Sequence, residues 1–337
     1  MSMQNAQTSR PPRVGLALGA GGARGWAHIG VLQRLDAMGI PIACIAGTSA
    51  GALVGCVYLA GQLDLLDALT LNFDWRQTAR LLFEVNLPRS GLITGRHVER
   101  ALQRMIQIKT FEELDRPFAA VATDLGTHSE VVFKQGDLVR AIRASLSIPG
   151  ILTPVRIGTR HLVDGVLVNP LPVSVLREMG AEVVIGVDVN LRQCDDASLN
   201  APVPVQRTAP HAAAIAQRSE WLRQSLHRLP KRPAAAIDAL LRKWEARQEE
   251  LSIFDVLTQA MRITENQLTR SRLETDPPDI LIQPAVGQIA TLDFPSASQA
   301  IIAGARAADE KRHELEALLK PATLSKHQPP SIHTDHV

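Results

Sequence analysis

Ala43-Cys44-Ile45-Ala46-Gly47-Thr48-Ser49-Ala50-Gly51-Ala52-Leu53-Val54-Gly55-Cys56-Val57-Tyr58-Leu59-Ala60 reads as an apolar strand, a Gly-x-Ser-x-Gly turn and an apolar helix of small residues. A serine on a sharp strand-to-helix turn has its hydroxyl held clear of the sheet, above a helix N-terminus. Gly47 and Gly51 let strand and helix close around it where a Cβ would collide. The pentapeptide alone also has a plainer reading, in which Thr48 and Ser49 cap the helix that follows.

Upstream, the strand Val14–Leu18 ends in Gly19-Ala20-Gly21-Gly22-Ala23-Arg24-Gly25, and a helix is predicted over 26–38. Backbone N–H groups free of side chains at a helix N-terminus make an anion site, suited either to a phosphate or to the oxyanion of a tetrahedral intermediate. Downstream, hydrophobic periodicity predicts helices over 63–71, 94–106, 137–146 and 173–179, and strands over 118–123, 130–134 and 183–189. Thr110 and Glu113 have capping-box spacing. A hairpin over 155–157 and 161–163 leads into Asp164-Gly165-Val166. Strand and helix alternate, which implies an α/β fold of three layers, with a mainly parallel central sheet and helices on both faces.

With 337 residues, 45% of them hydrophobic, the chain can bury a sizeable core. A net charge of +2 and 21% charged residues argue against a nucleic-acid partner held by bulk charge. Cys44, Cys56 and Cys194 have no Cys-x-x-Cys spacing, and they read as thiols of a reducing compartment, with neither disulfide nor zinc. Residues 1–12 lack the apolar stretch of a signal peptide, so a cytoplasmic location is expected. The uncharged run 39–62 has the length of a membrane span, about 20 residues, but Pro41, Gly47, Thr48, Ser49 and Gly51 interrupt it. A strand and helix buried in a core explain it better.

The expected organisation is a disordered N-terminus (1–12), a catalytic core (13–191), a linker with basic amphipathic helices (192–250), C-terminal helices and a late strand that complete the domain (251–320), and a disordered tail (321–337). In the last of the ordered parts, helices are predicted over 254–273 and 296–319 and a strand over 279–283. Basic residues from Arg218 to Arg247 interleave with Trp221, Leu226 and Trp244, a pattern that fits either an anionic membrane or a solvated helix packed on its apolar side.

A serine nucleophile needs a base. His211, His227 and His313 follow in an order compatible with a triad, yet none stands at a strand end, while His28 lies on a helix face and His161 within a strand. Asp164 ends a strand, and Gly165 gives it a turn that could aim its carboxylate at Ser49. By itself Asp-Gly is first a turn signal. An aspartate at its reference pKa of about 3.9 is also a weak base at neutral pH, and burial would strengthen it.

These residues resemble the patatin-like phospholipases, in particular the bacterial branch similar to neuropathy target esterase, over residues 13–191. The resemblance implies a lipid or lysophospholipid ester hydrolase with Ser49 as nucleophile, Asp164 as base, and Gly21, Gly22 and Ala23 as oxyanion-hole donors. Arg24, Gly25, Gly47, Gly51 and Gly165 would support the motifs. No histidine, cofactor or metal is called for. Ala144-Ser145-Leu146-Ser147-Ile148-Pro149 matches the family's Ser-and-Pro block between nucleophile and acid. Peripheral contact with an anionic membrane is a further expectation, with no nucleic acid; head group, acyl length, acyl transfer and oligomeric state stay open. Ala20 and Val166 depart from the family pattern, in which glycine opens the loop and glycine or alanine follows Asp-Gly. A β-branched residue beside Asp164 bears on the width of the pocket and on the aim of the carboxylate. Two rival readings are a nucleotide-binding Rossmann protein and a patatin-like scaffold with weak activity. Against the first, Arg24 stands where a third glycine would fall, and no acidic residue closes the second strand.

Overall fold

The computed structural model describes residues 12–71, 94–190 and 253–319. Outside them lie the N-terminal tail, residues 72–93 between two of the predicted helices, the 192–250 linker and basic helices with Cys194, His211 and His227, and the tail from 321. In chain order the strands and helices begin with β1 (Val14–Leu18), α1 (Ala27–Ala37), β2 (Ile42–Thr48), α2 (Ala50–Leu59), α3 (Leu63–Leu71) and α4 (Arg96–Met105). There follow β3 (Phe118–Asp124), β4 (Ser129–Phe133), α5 (Leu138–Ser145), β5 (Val155–Ile157) and β6 (Arg160–Asp164). The remainder is α6 (Val173–Glu178), β7 (Val183–Val187), α7 (Ile253–Thr275), β8 (Ile280–Ile282), α8 (Ala297–Glu310) and α9 (Arg312–Ala317).

β1 and β3 are buried at every position, as strands covered by helices on both faces must be. Five strands run parallel in the order β3-β2-β1-β7-β8, and β4, β5 and β6 join antiparallel at the β3 end. Leu16, Leu18, Ile45 and Val187 face a core closed by Ile29 and Leu32 of α1, Val54 and Val57 of α2, and Ile301 of α8. Ala17, Ala46, Val121 and Val184 face the opposite layer, where Leu176 of α6 packs. Each fully buried Leu, Ile or Val contributes roughly 1.5–3 kcal/mol, so both faces are needed to hold the sheet.

The sheet register brings the two motif strands together. Ala120 of β3 pairs with Gly47 of β2 on one side and Phe133 of β4 on the other, whereas Ala122 pairs with Asp164 of β6 and Val131 of β4. β2 and β6 therefore share one edge of β3, arriving from opposite directions. They stop at adjacent positions, Thr48 opposite Val121 and Asp164 opposite Ala122.

Three local expectations change. The helix expected from residue 26 is preceded by a 3-10 turn over Gly22–Trp26, and regular α-helix starts at Ala27. The 296–319 helix is broken at Lys311 into α8 and α9. At 110–113 the Thr110 hydroxyl donates to the Glu113 carboxylate (3.0 Å), and it makes no cap to the short 3-10 turn Phe111–Glu113. Cys44 and Cys56 are buried free thiols. Among the described residues, no helix is long and apolar enough to cross a membrane.

Candidate active site

Ser49 sits at φ 55, in the left-handed region, which costs a non-glycine residue on the order of 1–3 kcal/mol. The neighbouring glycines are forced by close approach: a Cβ on Gly47 would lie 2.5 Å from the Ala52 nitrogen, and one on Gly51 would meet the Leu18 carbonyl. The Ser49 N–H donates to Ser145 Oγ (2.8 Å), and that hydroxyl donates to the Val121 carbonyl (2.6 Å). The Ser49 side chain makes no cap to α2. Its Oγ donates to Asp164 Oδ2 at 2.6 Å, and both residues are buried. The capping alternative is thereby set aside.

Asp164 is held on every side. Its N–H donates to the Ser147 carbonyl (3.0 Å), its own carbonyl accepts from Thr123 Oγ1 (2.8 Å), and Oδ1 accepts the Val166 N–H (2.9 Å). Val166 thus leaves the carboxylate aimed at Ser49 and braces it through the backbone. The Ser-and-Pro block gains a physical role here, because Ser145 grips the nucleophile's amide while Ser147 grips that of the acid. Burial pushes the Asp164 carboxyl up to about 7, the charge of Glu265 acts in the same direction, and the bonds from Ser49 and Val166 oppose them.

Histidine has no such place among the described residues. His28 is fully buried with Nε2 on the Gly19 carbonyl (2.8 Å), and burial pulls its pKa down to about 4, so it packs beneath the loop as a neutral ring. His161 and His313 are exposed.

In the glycine-rich loop, Gly19 N–H donates to Val187 O (3.0 Å) and Ala20 N–H to Pro170 O (2.8 Å). Ala23 N–H donates to Thr291 O (2.9 Å), because the 3-10 turn carries this amide against the C-terminal loop. Of the three amides assigned to the oxyanion, Gly21 and Gly22 remain; neither meets an acceptor among the described residues, and both line a space over Ser49. Gly25 packs on Ala50, and Gly165 on the Val121 carbonyl.

Arg24 is fully buried. Its Nη2 donates to Asn190 Oδ1 (2.7 Å) and to Glu265 Oε2 (3.3 Å), and Nη1 reaches Ile289 O and Thr291 Oγ1 (both 3.4 Å). Burial lowers the pKa of this guanidinium, with Glu265 and Asp188 opposing. Asn190 and Glu265 were absent from the sequence reading. Asn190, two residues beyond Asp188 at the end of β7, carried a faint signal; Glu265, inside an amphipathic helix, carried none.

Two cavities meet at Ser49, Gly22 and Ile148. One, of about 240 Å³, is apolar, with Leu53, Leu66, Leu102, Met105 and Phe294 in its walls. The other, of about 30 Å³, lies between the Ser49–Asp164 pair and Thr258, Met261, Arg262 and Glu265 of α7. Among the described residues no cluster of three or more His, Cys, Asp or Glu side chains is arranged to hold a metal ion.

Residues 16–177 match the family described as patatin-like phospholipase. An uncharacterized NTE family protein of Mycobacterium tuberculosis is 41% identical over 182 residues, which is 54% of this chain and 50% of that protein. Patatin-like phospholipase domain-containing protein 6 of Homo sapiens is 34% identical over 192 residues, 55% of this chain and 14% of the human protein. Among solved structures, VipD from Legionella pneumophila aligns with a TM-score of 0.46 at 13% identity, over 94% of this chain and 69% of that one. The matched part of the chain spans half or less of these curated relatives.

Proposed function

From a chain that belongs to the patatin-like phospholipase family through residues 16–177, we propose a serine acyl hydrolase acting on lipid or lysophospholipid esters by a Ser49-Asp164 dyad. The observation that carries this reading is the 2.6 Å bond from Ser49 Oγ to the buried Asp164 carboxylate. Asp164 takes the hydroxyl proton as Oγ attacks the ester carbonyl carbon. The negative charge that develops on the carbonyl oxygen falls to the Gly21 and Gly22 amides. Collapse breaks the bond to the alcohol, which leaves with the proton from Asp164, and the acyl group stays on Ser49. Water then attacks the acyl-serine, Asp164 again accepts the proton, and the free acid departs as that proton returns to Ser49.

A base of pKa about 7 suits this cycle, since it is largely ionised just above neutrality yet basic enough to accept a proton. The apolar cavity ending at Ser49 supports an acyl chain as its occupant. The same reading makes 13–191 and 251–320 one catalytic unit, supported by the pairing of β8 with β7 and by the reach of Glu265 to Arg24.

Labelling of the purified protein with a fluorophosphonate probe tests the assignment. Wild type is expected to label at Ser49 by peptide mapping, and Ser49→Ala to label nowhere. Folded wild-type protein that does not react would sink the hydrolase reading.

A further inference from the structure

Helix α7 presents Thr258, Met261, Arg262 and Glu265 to the small space over the dyad, a spacing that puts them on one helical face. Glu265 is 6% exposed. Its two oxygens are divided between two partners: Oε1 accepts Asn190 Nδ2 (2.9 Å) and Oε2 accepts Arg24 Nη2 (3.3 Å). Asn190 Oδ1 in turn accepts Arg24 Nε and Nη2 (3.2 and 2.7 Å), which closes a ring of three side chains. The ring grips the loop at both ends, since Asn190 Nδ2 also donates to the Ala20 carbonyl (2.7 Å) and Arg24 belongs to the turn that follows Gly22.

A buried carboxylate–guanidinium pair is weak evidence of stabilisation, because apolar residues of equal volume would serve folding as well. What the ring fixes is the stretch from Ala20 to Arg24, in which Ala20, Gly21 and Gly22 line the space over Ser49. We propose that Glu265 is a positioning residue: through Asn190 and Arg24 it ties helix α7 to the glycine-rich loop and holds the Gly21 and Gly22 amides in line with the Ser49 nucleophile. This inference rests on the hydrolase reading above.

Glu265 has a second effect through its charge. Burial raises the pKa of Glu265, with Arg24 from the loop turn opposing, Asp188 from the end of β7 adding to it and Asn190 and Arg262 opposing; across the small space the charge of Glu265 adds to the burial that raises the pKa of Asp164. Removing that charge lowers the pH at which Asp164 ionises. A purely structural residue would change activity without moving the pH profile.

The test uses the full chain and a chromogenic p-nitrophenyl ester, with kcat and KM measured from about pH 5 to about pH 9, beside fluorophosphonate labelling and thermal melting. Glu265→Gln is expected to lower kcat by about 10- to 100-fold, the scale of a misplaced catalytic group, with KM little changed and the acid limb displaced to lower pH. Glu265→Asp keeps the charge but shortens the reach, so it should lower kcat while leaving the acid limb in place. Wild-type kcat and an unmoved limb in Glu265→Gln would overturn the inference. Should Glu265→Gln fail to fold, Glu265→Asp decides: a folded protein with undiminished kcat overturns it, as does a kcat lowered only in step with a lowered melting temperature, and a lowered kcat at unchanged KM and unchanged melting temperature supports it. Wild type that does not label at Ser49 overturns the hydrolase reading itself, so the two failures are separable.

Discussion

Ser49 stands between two compartments of unequal kind. On one side lies the apolar cavity of about 240 Å³ built from α2, α3, α4 and the loops around Ile151 and Phe294; on the other is a space of about 30 Å³ crowded by Asp164, Arg262 and Glu265. The difference follows from what each wall must satisfy. Apolar walls need no partners and can stand open to receive a chain. Buried charges are tolerated only when each has a counter-charge or a hydrogen bond, so the polar side is drawn tight. Changes on the apolar side should therefore alter which acyl chain is accepted, whereas changes on the polar side should alter the chemistry.

The strongest way to break that contrast is Asp164→Asn. Val166 N–H can still donate to the amide oxygen, so the fold is retained. Ester hydrolysis should fall by at least about 10²- to 10⁴-fold, the usual worth of a general base. In wild type, hydrolysis should rise with pH through about 7 as Asp164 ionises. Stability should run the other way. The folded-state pKa is raised from 3.8 to about 7, so Asp164 favours the folded state below pH 3.8, and that contribution is lost as pH rises through about 7. At pH 8 the ionised carboxylate costs on the order of 4 kcal/mol, and Asp164→Asn should melt higher than wild type. An inactive variant that melts lower at pH 8 would mean that the site holds no such strain.

The two sides also differ in how far they could be read from sequence. Gly-Thr-Ser-Ala-Gly and Asp-Gly at strand ends pointed to Ser49 and Asp164, which the structure joins by a hydrogen bond, because sharp turns at strand ends need particular residues. The pairing of β6 on the edge that β2 vacates was invisible, since it depends on register, and no local pattern encodes that. Ser145 and Ser147 could be quoted as a motif, but their task of holding two amides appears only once the sheet is assembled. Glu265 was unreadable for a further reason. A glutamate in an amphipathic helix looks solvated, and its partner Arg24 lies 241 positions away. Ala23 shows the converse failure: the loop motif suggested a donor, and the C-terminal Thr291 carbonyl claims its N–H.

A second, smaller effect belongs to the apolar side. Ala101 of α4 lines the cavity, and Ala101→Phe would fill part of it. Each methylene kept out of the cavity forgoes about 0.8 kcal/mol, close to fourfold in kcat/KM. Long-chain esters should therefore lose one to two orders of magnitude, roughly the total for two or three methylenes, while an acetyl ester is hydrolysed at the wild-type rate. A uniform loss across chain lengths, measured as kcat/KM on p-nitrophenyl esters from acetate to palmitate, would show that the cavity does not receive the chain.

The smallest effect should come from Val166→Ala, on the polar side but away from its charges. The contribution of Val166 to the dyad is its backbone N–H on Asp164 Oδ1, which alanine retains, and its side chain only narrows the small space. Acetyl ester hydrolysis and its pH profile should stay within about threefold of wild type, as expected when no transition-state contact is removed. If the leaving alcohol passes through that space, a bulky alcohol should gain relative to a small one, and chain-length preference should not move. A shift in chain length instead would mean that the acyl chain lies on the α7 side and that the two compartments have been assigned in reverse.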